Sequence, residues 1–276
     1  MSSFFGEMFS YQFLVRAMIV GSLVSLCSAL LGVSLVLKRY SMIGDGLSHV
    51  GFGSLAVAMA LGLAPLQVSI PVVVLAAFAL LRLSESGRIR GDSAIAIIST
   101  SSLALGVLTI SITTGMNTDV CNYLFGSILA MSKADVNLSL AMSAVVLTLY
   151  LLFYHRLFAV TFDETFARAT GVPTGYYNLL LAALTAVTVV LGMRLMGAML
   201  ISSLIIFPAL TTMRVCKRFR SVILVSAILS LVCFFIGMSL SYAFATAAGA
   251  SVVAVNLLAF LLFTLIGALK RRRKPA

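Results

Sequence analysis

Nine apolar runs follow one another along the chain with little between them. They lie at about 13–37, 42–62, 66–82, 93–114, 137–155, 176–194, 197–214, 220–243 and 250–269. Each is close to the roughly 20 residues that carry a helix across a hydrocarbon core. Within lipid the backbone must bond to itself, which leaves helices as the solution for runs of this kind. The expected fold is therefore all-α, a polytopic bundle of eight to nine transmembrane helices. Nine is the count, and eight is the alternative because 176–194 and 197–214 nearly merge. The chain is 61% hydrophobic and 10% charged, with a mean hydropathy of +1.14, which excludes a soluble domain. No long polar stretch interrupts the runs, so residues 1–276 read as a single transmembrane domain. The first 13 residues carry Glu7 and no basic cluster, and a removed signal peptide is not expected.

The net charge of +11 would point to nucleic acid in a soluble protein. Here it follows the loops instead. With the N-terminus outside, alternate loops on the inner side hold Lys38, Arg39, Arg82, Arg88, Arg90, Arg156, Arg168, Arg214, Lys217, Arg218, Arg220 and Lys270 to Lys274, sixteen of the 19 basic residues. That bias orients a membrane protein with its C-terminus in the cytoplasm and implies no nucleic-acid partner. Cys27, Cys121, Cys216 and Cys233 are scattered and form neither a disulfide framework nor a zinc ribbon.

Between the first two runs and into the second lies Met42-Ile43-Gly44-Asp45-Gly46-Leu47-Ser48-His49-Val50-Gly51. Asp45 is the one carboxylate expected inside the membrane, and His49 is one of two histidines. Four residues apart, they fall on one helix face, one turn from each other. A carboxylate oxygen and an imidazole nitrogen converging in this way make half a site for zinc or manganese. The competing reading has Asp45 near a helix start, favoured by the dipole, merely satisfying His49.

The loop at about 156–175 is the second informative stretch. Thr161 and Glu164 fit a capping box, Gly171 can close a helix and Pro173 prevents it from resuming. Glu164 and Arg168 stand in the favourable i, i+4 order. A short helix at about 161–171 is thus punctuated at both ends and shows Phe162, Phe166 and Ala169 beside charges. It serves either as a docking surface for a soluble partner or as an interfacial helix on the headgroups. Elsewhere Pro208 kinks its helix and either disturbs packing or lines a pathway. Asn256 is expected to bond across helices. His155 is expected to be structural, at the end of its span. The chain has no phosphate loop, no His-Glu-x-x-His and no Gly-x-Ser-x-Gly, so it is not expected to be an enzyme.

These residues add up to a family pattern. The chain resembles the membrane permease of the zinc/manganese/iron importers of the ATP-binding cassette superfamily, from about residue 20 to the C-terminus. The resemblance rests on Lys38-Arg39 followed by Gly44 to His49, on Asn122 to Leu129, on Asp163 to Pro173, on Met196 to Ala209 and on Gly249-Ala250-Ser251, in that order. Gly46 stands where the family usually has Ala or Thr, and Ser127 where a carboxylate or Asn is common. The resemblance implies a homodimer, a separate cytoplasmic ATPase and an extracytoplasmic metal-binding protein, in a bacterial cell membrane. It implies Asp45 and His49 as a metal site on the pathway. It also implies Asp163, Glu164, Phe166, Ala167, Arg168 and Gly171 as the helix that couples to the ATPase. No cofactor is bound permanently; the ion is cargo, with zinc favoured and manganese or iron in the same range. The rival is a stand-alone secondary carrier or channel, which would ordinarily show several membrane carboxylates.

Overall fold

The computed structural model describes residues 10–85, 91–113, 126, 132–198 and 201–272. Its helices, in chain order, are α1 (Gln12–Leu37), α2 (Ile43–Ala60), α3 (Pro65–Glu85), α4 (Gly91–Thr113), α5 (Lys133–Leu152), α6 (Tyr154–Phe162), α7 (Glu164–Ala169), α8 (Thr174–Met196), α9 (Ile201–Met213), α10 (Phe219–Phe244) and α11 (Ala248–Arg272). No strand occurs among the described residues. Seven of the helices (α1, α3, α4, α5, α8, α10 and α11) are long and apolar enough to cross a membrane, so this is a multi-pass membrane protein.

The nine apolar runs do not all become helices of that kind. The run at 42–62 becomes α2, whose apolar character is diluted by Asp45, His49 and four glycines. The run at 197–214 yields α9, 13 residues long, because α8 stops at Gly197 in a positive-φ conformation (φ 88°) before α9 begins at Ile201. The run at 137–155 ends early: α5 stops at Leu152 and α6 begins at Tyr154, so His155 lies in the first turn of a new helix instead of closing a span.

Burial separates the centre of the bundle from its lipid face. In the apolar windows of α1 and α8, 72% of residues are buried, against 11% in α11, whose Leu258, Leu262, Leu265 and Leu269 point outward. Lipid tails are as apolar as leucine, so burial between helices is held by close packing and by hydroxyl contacts. Ser25 of α1 and Ser230 of α10 lie with their Oγ atoms 2.6 Å apart. Thr212 of α9 and Ser226 of α10 are joined at 2.7 Å. Asn256, by contrast, donates to the Val252 carbonyl of its own helix at 2.9 Å.

α2 and α4 pack against each other most closely. Gly46 faces Ile95 and Gly53 faces the Ser102 carbonyl at the same offset along both chains, so the two helices run parallel and in register. A Cβ at Gly53 would lie 2.6 Å from that carbonyl oxygen, and backbone cannot retreat as a flexible side chain can. Gly53→Ala is expected to cost about 1–3 kcal/mol through overpacking. The readout is a lower midpoint of thermal unfolding in detergent, beside an unchanged or higher midpoint for Gly175→Ala, where an added Cβ meets nothing within 4 Å.

Candidate metal site and the short helix α7

Asp45 lies in the first turn of α2 and His49 one turn further on. Their side chains converge, with His49 Nε2 3.8 Å from Asp45 Oδ2. That exceeds a hydrogen-bond length but lies within ion-pair reach. Tetrahedral zinc, with bonds of about 2.0–2.2 Å, holds its ligand atoms roughly 3.4 Å apart, a few tenths of an ångström closer than this pair stands. The His49 side chain is 14% exposed and that of Asp45 35%, so the carboxylate is the more open of the two. His49 Nδ1 is buried without a hydrogen-bond partner among the described residues.

The glycines between these residues explain how a polar helix is held in the bundle. Gly44 faces Ile205 of α9, Gly46 faces Ile95 of α4 and Gly51 faces Met193 of α8. Three neighbouring helices approach α2 at its glycines, while the Asp45 side chain stays partly exposed. At Gly46 an added Cβ would lie 2.8 Å from Ile95 Cγ2, so the space that Ala or Thr would use is already taken. Among the described residues no third His, Cys, Asp or Glu joins the pair. Beside the start of α2 a cavity of about 220 Å³ opens, lined among others by Lys38, Arg39, Ile43, Asp92 and Ile95.

The short helix forms, but it begins two residues later than Thr161 would place it. Thr161 is buried inside α6, because the apolar face of Tyr154–Phe162 keeps that segment helical. The N-cap of α7 is Asp163, whose carboxylate accepts from the Phe166 amide at 2.8 Å. Glu164 is thereby freed from backbone duty. The reciprocal capping box occurs at Ser132 and Asp135 on α5, a pair the sequence reading passed over. The other end of α7 matches expectation. Gly171 (φ 82°) closes a Schellman turn in which Gly171 and Val172 donate to the carbonyls of Arg168 and Ala167 at 3.1 and 3.0 Å. Ala167 is fully buried against Val160 and Val172, underneath the helix. Phe162 and Phe166 stand 61% and 65% exposed on the outer side, with Arg168 also exposed. The Phe162 ring leans edge-on against Phe219 at 5.7 Å, which ties this side to the start of α10.

Glu164 is the centre of a network that the sequence reading reduced to one pair. Arg168 Nη2 lies 3.3 Å from Oε1, as the spacing implied. Asn178 Nδ2 of α8 donates to the same oxygen at 3.1 Å. Lys38 Nζ, just past the end of α1, reaches Oε2 at 3.0 Å and also donates to Asn178 Oδ1. Partial burial pulls the Glu164 carboxyl upward, but the hydrogen bonds from Lys38 and Asn178, with the charges of Lys38 and Arg168, hold it below its ordinary range.

Asp135, in the first turn of α5, is joined to Arg194 at 3.0 Å with side-chain exposures of 19% and 8%. Pro208 is buried inside α9, and its carbonyl accepts from Thr212 Oγ1 and Ser226 Oγ at 2.9 and 3.1 Å. Ile205, one turn earlier, rests on Gly44. Pro208→Ala is therefore expected to straighten the backing of α2 and slow transport several-fold while expression stays normal. Loss of the variant from the membrane would mark the proline as a packing element alone. The Asn122 to Leu129 segment lies outside the described residues except for Gly126.

The chain is 29% identical over 252 residues to the manganese transport system membrane protein MntC of Halalkalibacterium halodurans, covering 91% of this chain and 86% of that one. It is 31% identical over 252 residues to the high-affinity zinc uptake system membrane protein ZnuB of Haemophilus influenzae, covering 91% and 97%. Its fold matches a chain of the structure of PsaBC from Streptococcus pneumoniae in complex with Fab, with a TM-score of 0.85, 30% identity and coverage of 95% and 94%. A sequence model of the ABC 3 transport family matches residues 10–267, nearly all of the chain. This protein therefore belongs to the ABC 3 transport family, as a membrane permease and not an enzyme.

Proposed function

We propose that the chain is the permease subunit of an ATP-binding cassette importer that moves a divalent transition metal into the cytoplasm. The observation that carries this is the convergence of Asp45 and His49 at 3.8 Å on a helix hemmed in by its neighbours. Two ligands from one chain leave the remaining positions to water or to a second copy, consistent with a homodimer. Zinc is the favoured cargo, because an imidazole-containing site binds it above manganese in the Irving–Williams order. The relatives include proteins named for each metal. Energy comes from a separate cytoplasmic ATPase, and the ion is delivered by an extracytoplasmic metal-binding protein. With α2 and α9 also inside the membrane the spans number nine, the N-terminus lies outside, and α7 faces the cytoplasm, as the basic loops require.

Asp163, Glu164, Phe166, Ala167, Arg168 and Gly171 form the coupling helix in this reading. Phe166 supplies the contact, Asp163 and Gly171 fix the ends, and Ala167 seats the helix on the permease. A secondary carrier would need further carboxylates free to exchange protons, and Asp135 is committed to Arg194. The test is accumulation of zinc and of manganese in cells carrying the permease with and without its ATPase. Uptake that continues at full rate without the ATPase overturns the importer reading.

A further inference from the structure

We infer that Lys38 and Glu164 are positioning residues that join the coupling helix to the metal-carrying helix, so that movement of α7 is delivered to Asp45 and His49. The inference rests on the importer reading above and names the route by which that machine would work.

The junction brings three elements to one point. Glu164 belongs to α7, Asn178 to the first turns of α8, and Lys38 caps the end of α1. Lys38 Nζ contacts both partners, and Asn178 closes the triangle onto Glu164 at 3.1 Å. The Lys38 side chain is 6% exposed. An exposed ion pair holds two side chains together weakly, but a buried ammonium cannot leave its carboxylate without losing its compensation. The contact therefore carries load when α7 shifts.

From Lys38 the connection to the metal site is short and has no slack. The Arg39 amide donates to the Val36 carbonyl at 3.1 Å and the Tyr40 amide to that of Leu35 at 2.8 Å, a Schellman turn. Arg39 occupies its left-handed position at φ 62° without the freedom of glycine. The chain then re-enters a helix at once, with the Ile43 amide donating to the Tyr40 carbonyl at 3.0 Å and that of Gly46 to Met42 at 3.1 Å. Asp45 follows seven residues after Lys38. Lys38, Arg39 and Ile43 also form one wall of the 220 Å³ cavity beside the start of α2. A displacement of this elbow changes the cavity and the aim of Asp45 together.

The experiment uses the full complex in vesicles, with radiolabelled zinc or manganese as probe and ATP hydrolysis measured in the same sample. Lys38→Met keeps the length and burial of the side chain and removes its charge. Glu164→Gln keeps shape and removes charge from the other side. Metal moved per ATP hydrolysed is expected to fall at least tenfold in each, and Lys38→Met, which leaves α7 itself unaltered, is expected to co-purify with the ATPase. The exchange Lys38→Glu with Glu164→Lys is expected to return that ratio to within a few-fold of wild type. Unchanged metal per ATP in either single variant overturns the inference, as does loss of the ATPase from both, which would give the pair a structural role only. If Lys38→Met fails to reach the membrane, Glu164→Gln decides by the same ratio. Wild-type uptake without ATPase would instead overturn the importer reading itself, so the two failures are distinct.

Discussion

Asp45→Ala is expected to reduce metal uptake to background while the protein remains in the membrane at its normal level. Even a partner that only orients a metal ligand is worth about 10–100-fold, so losing one of the two ligands this chain supplies should cost on the order of 100-fold or more. Folding should not suffer. A charge in a membrane helix is opposed by about 3 kcal/mol on insertion scales, and removing Asp45 relieves that cost. Asp45→Asn should fail as well, because it keeps the shape but loses the charge that attracts the ion. His49→Ala should follow, since the imidazole is the second ligand and lies 3.8 Å from the first. Uptake is read with radiolabelled metal and membrane content by immunoblot. Wild-type uptake by Asp45→Ala would remove the metal site from α2.

Phe166→Ala is expected to detach the ATPase, or to leave it hydrolysing ATP without moving metal. Phe166 is 65% exposed in the isolated chain, on a helix whose two ends are fixed by Asp163 and Gly171. A rigid, presented aromatic is the kind of residue that dominates an interface, often at about 2 kcal/mol or more on truncation. That converts to roughly a 30-fold weaker association. The metal pair should bind as before, because Asp45 and His49 lie on another helix. Co-purification of the ATPase with the variant, followed by transport in vesicles, checks both halves. Full assembly and full uptake would mean that α7 rests on the lipid headgroups instead.

Much of this was legible along the chain. Apolar runs of spanning length can only become helices in lipid, and the helical period alone puts Asp45 and His49 on one face. Gly171 and the Glu164–Arg168 pair lie within a turn or two of their partners, so their roles needed no tertiary information. Where local signals competed, the sequence misled. Thr161 and Glu164 have the letters of a capping box, yet the apolar face of Tyr154–Phe162 carries the preceding helix through Thr161 and hands the cap to Asp163. Hydropathy likewise does not reveal that the run at 197–214 yields a helix of only 13 residues, α9, once Gly197 has ended α8.

The sequence by itself determined that this is a membrane helical bundle with one carboxylate–imidazole face and one short capped helix. Those properties depend on neighbours a few residues apart. Only the tertiary structure decided that Lys38 meets Glu164 across 126 residues, that Asp135 meets Arg194 across 59, and that Asn256 turns back on its own helix. The reason is physical: a charge inside the bundle must find its counter-charge wherever packing brings one, and packing depends on which helix faces can approach closely. At α2 that approach was granted by glycines whose partners, Ile205, Ile95 and Met193, lie far away in the chain.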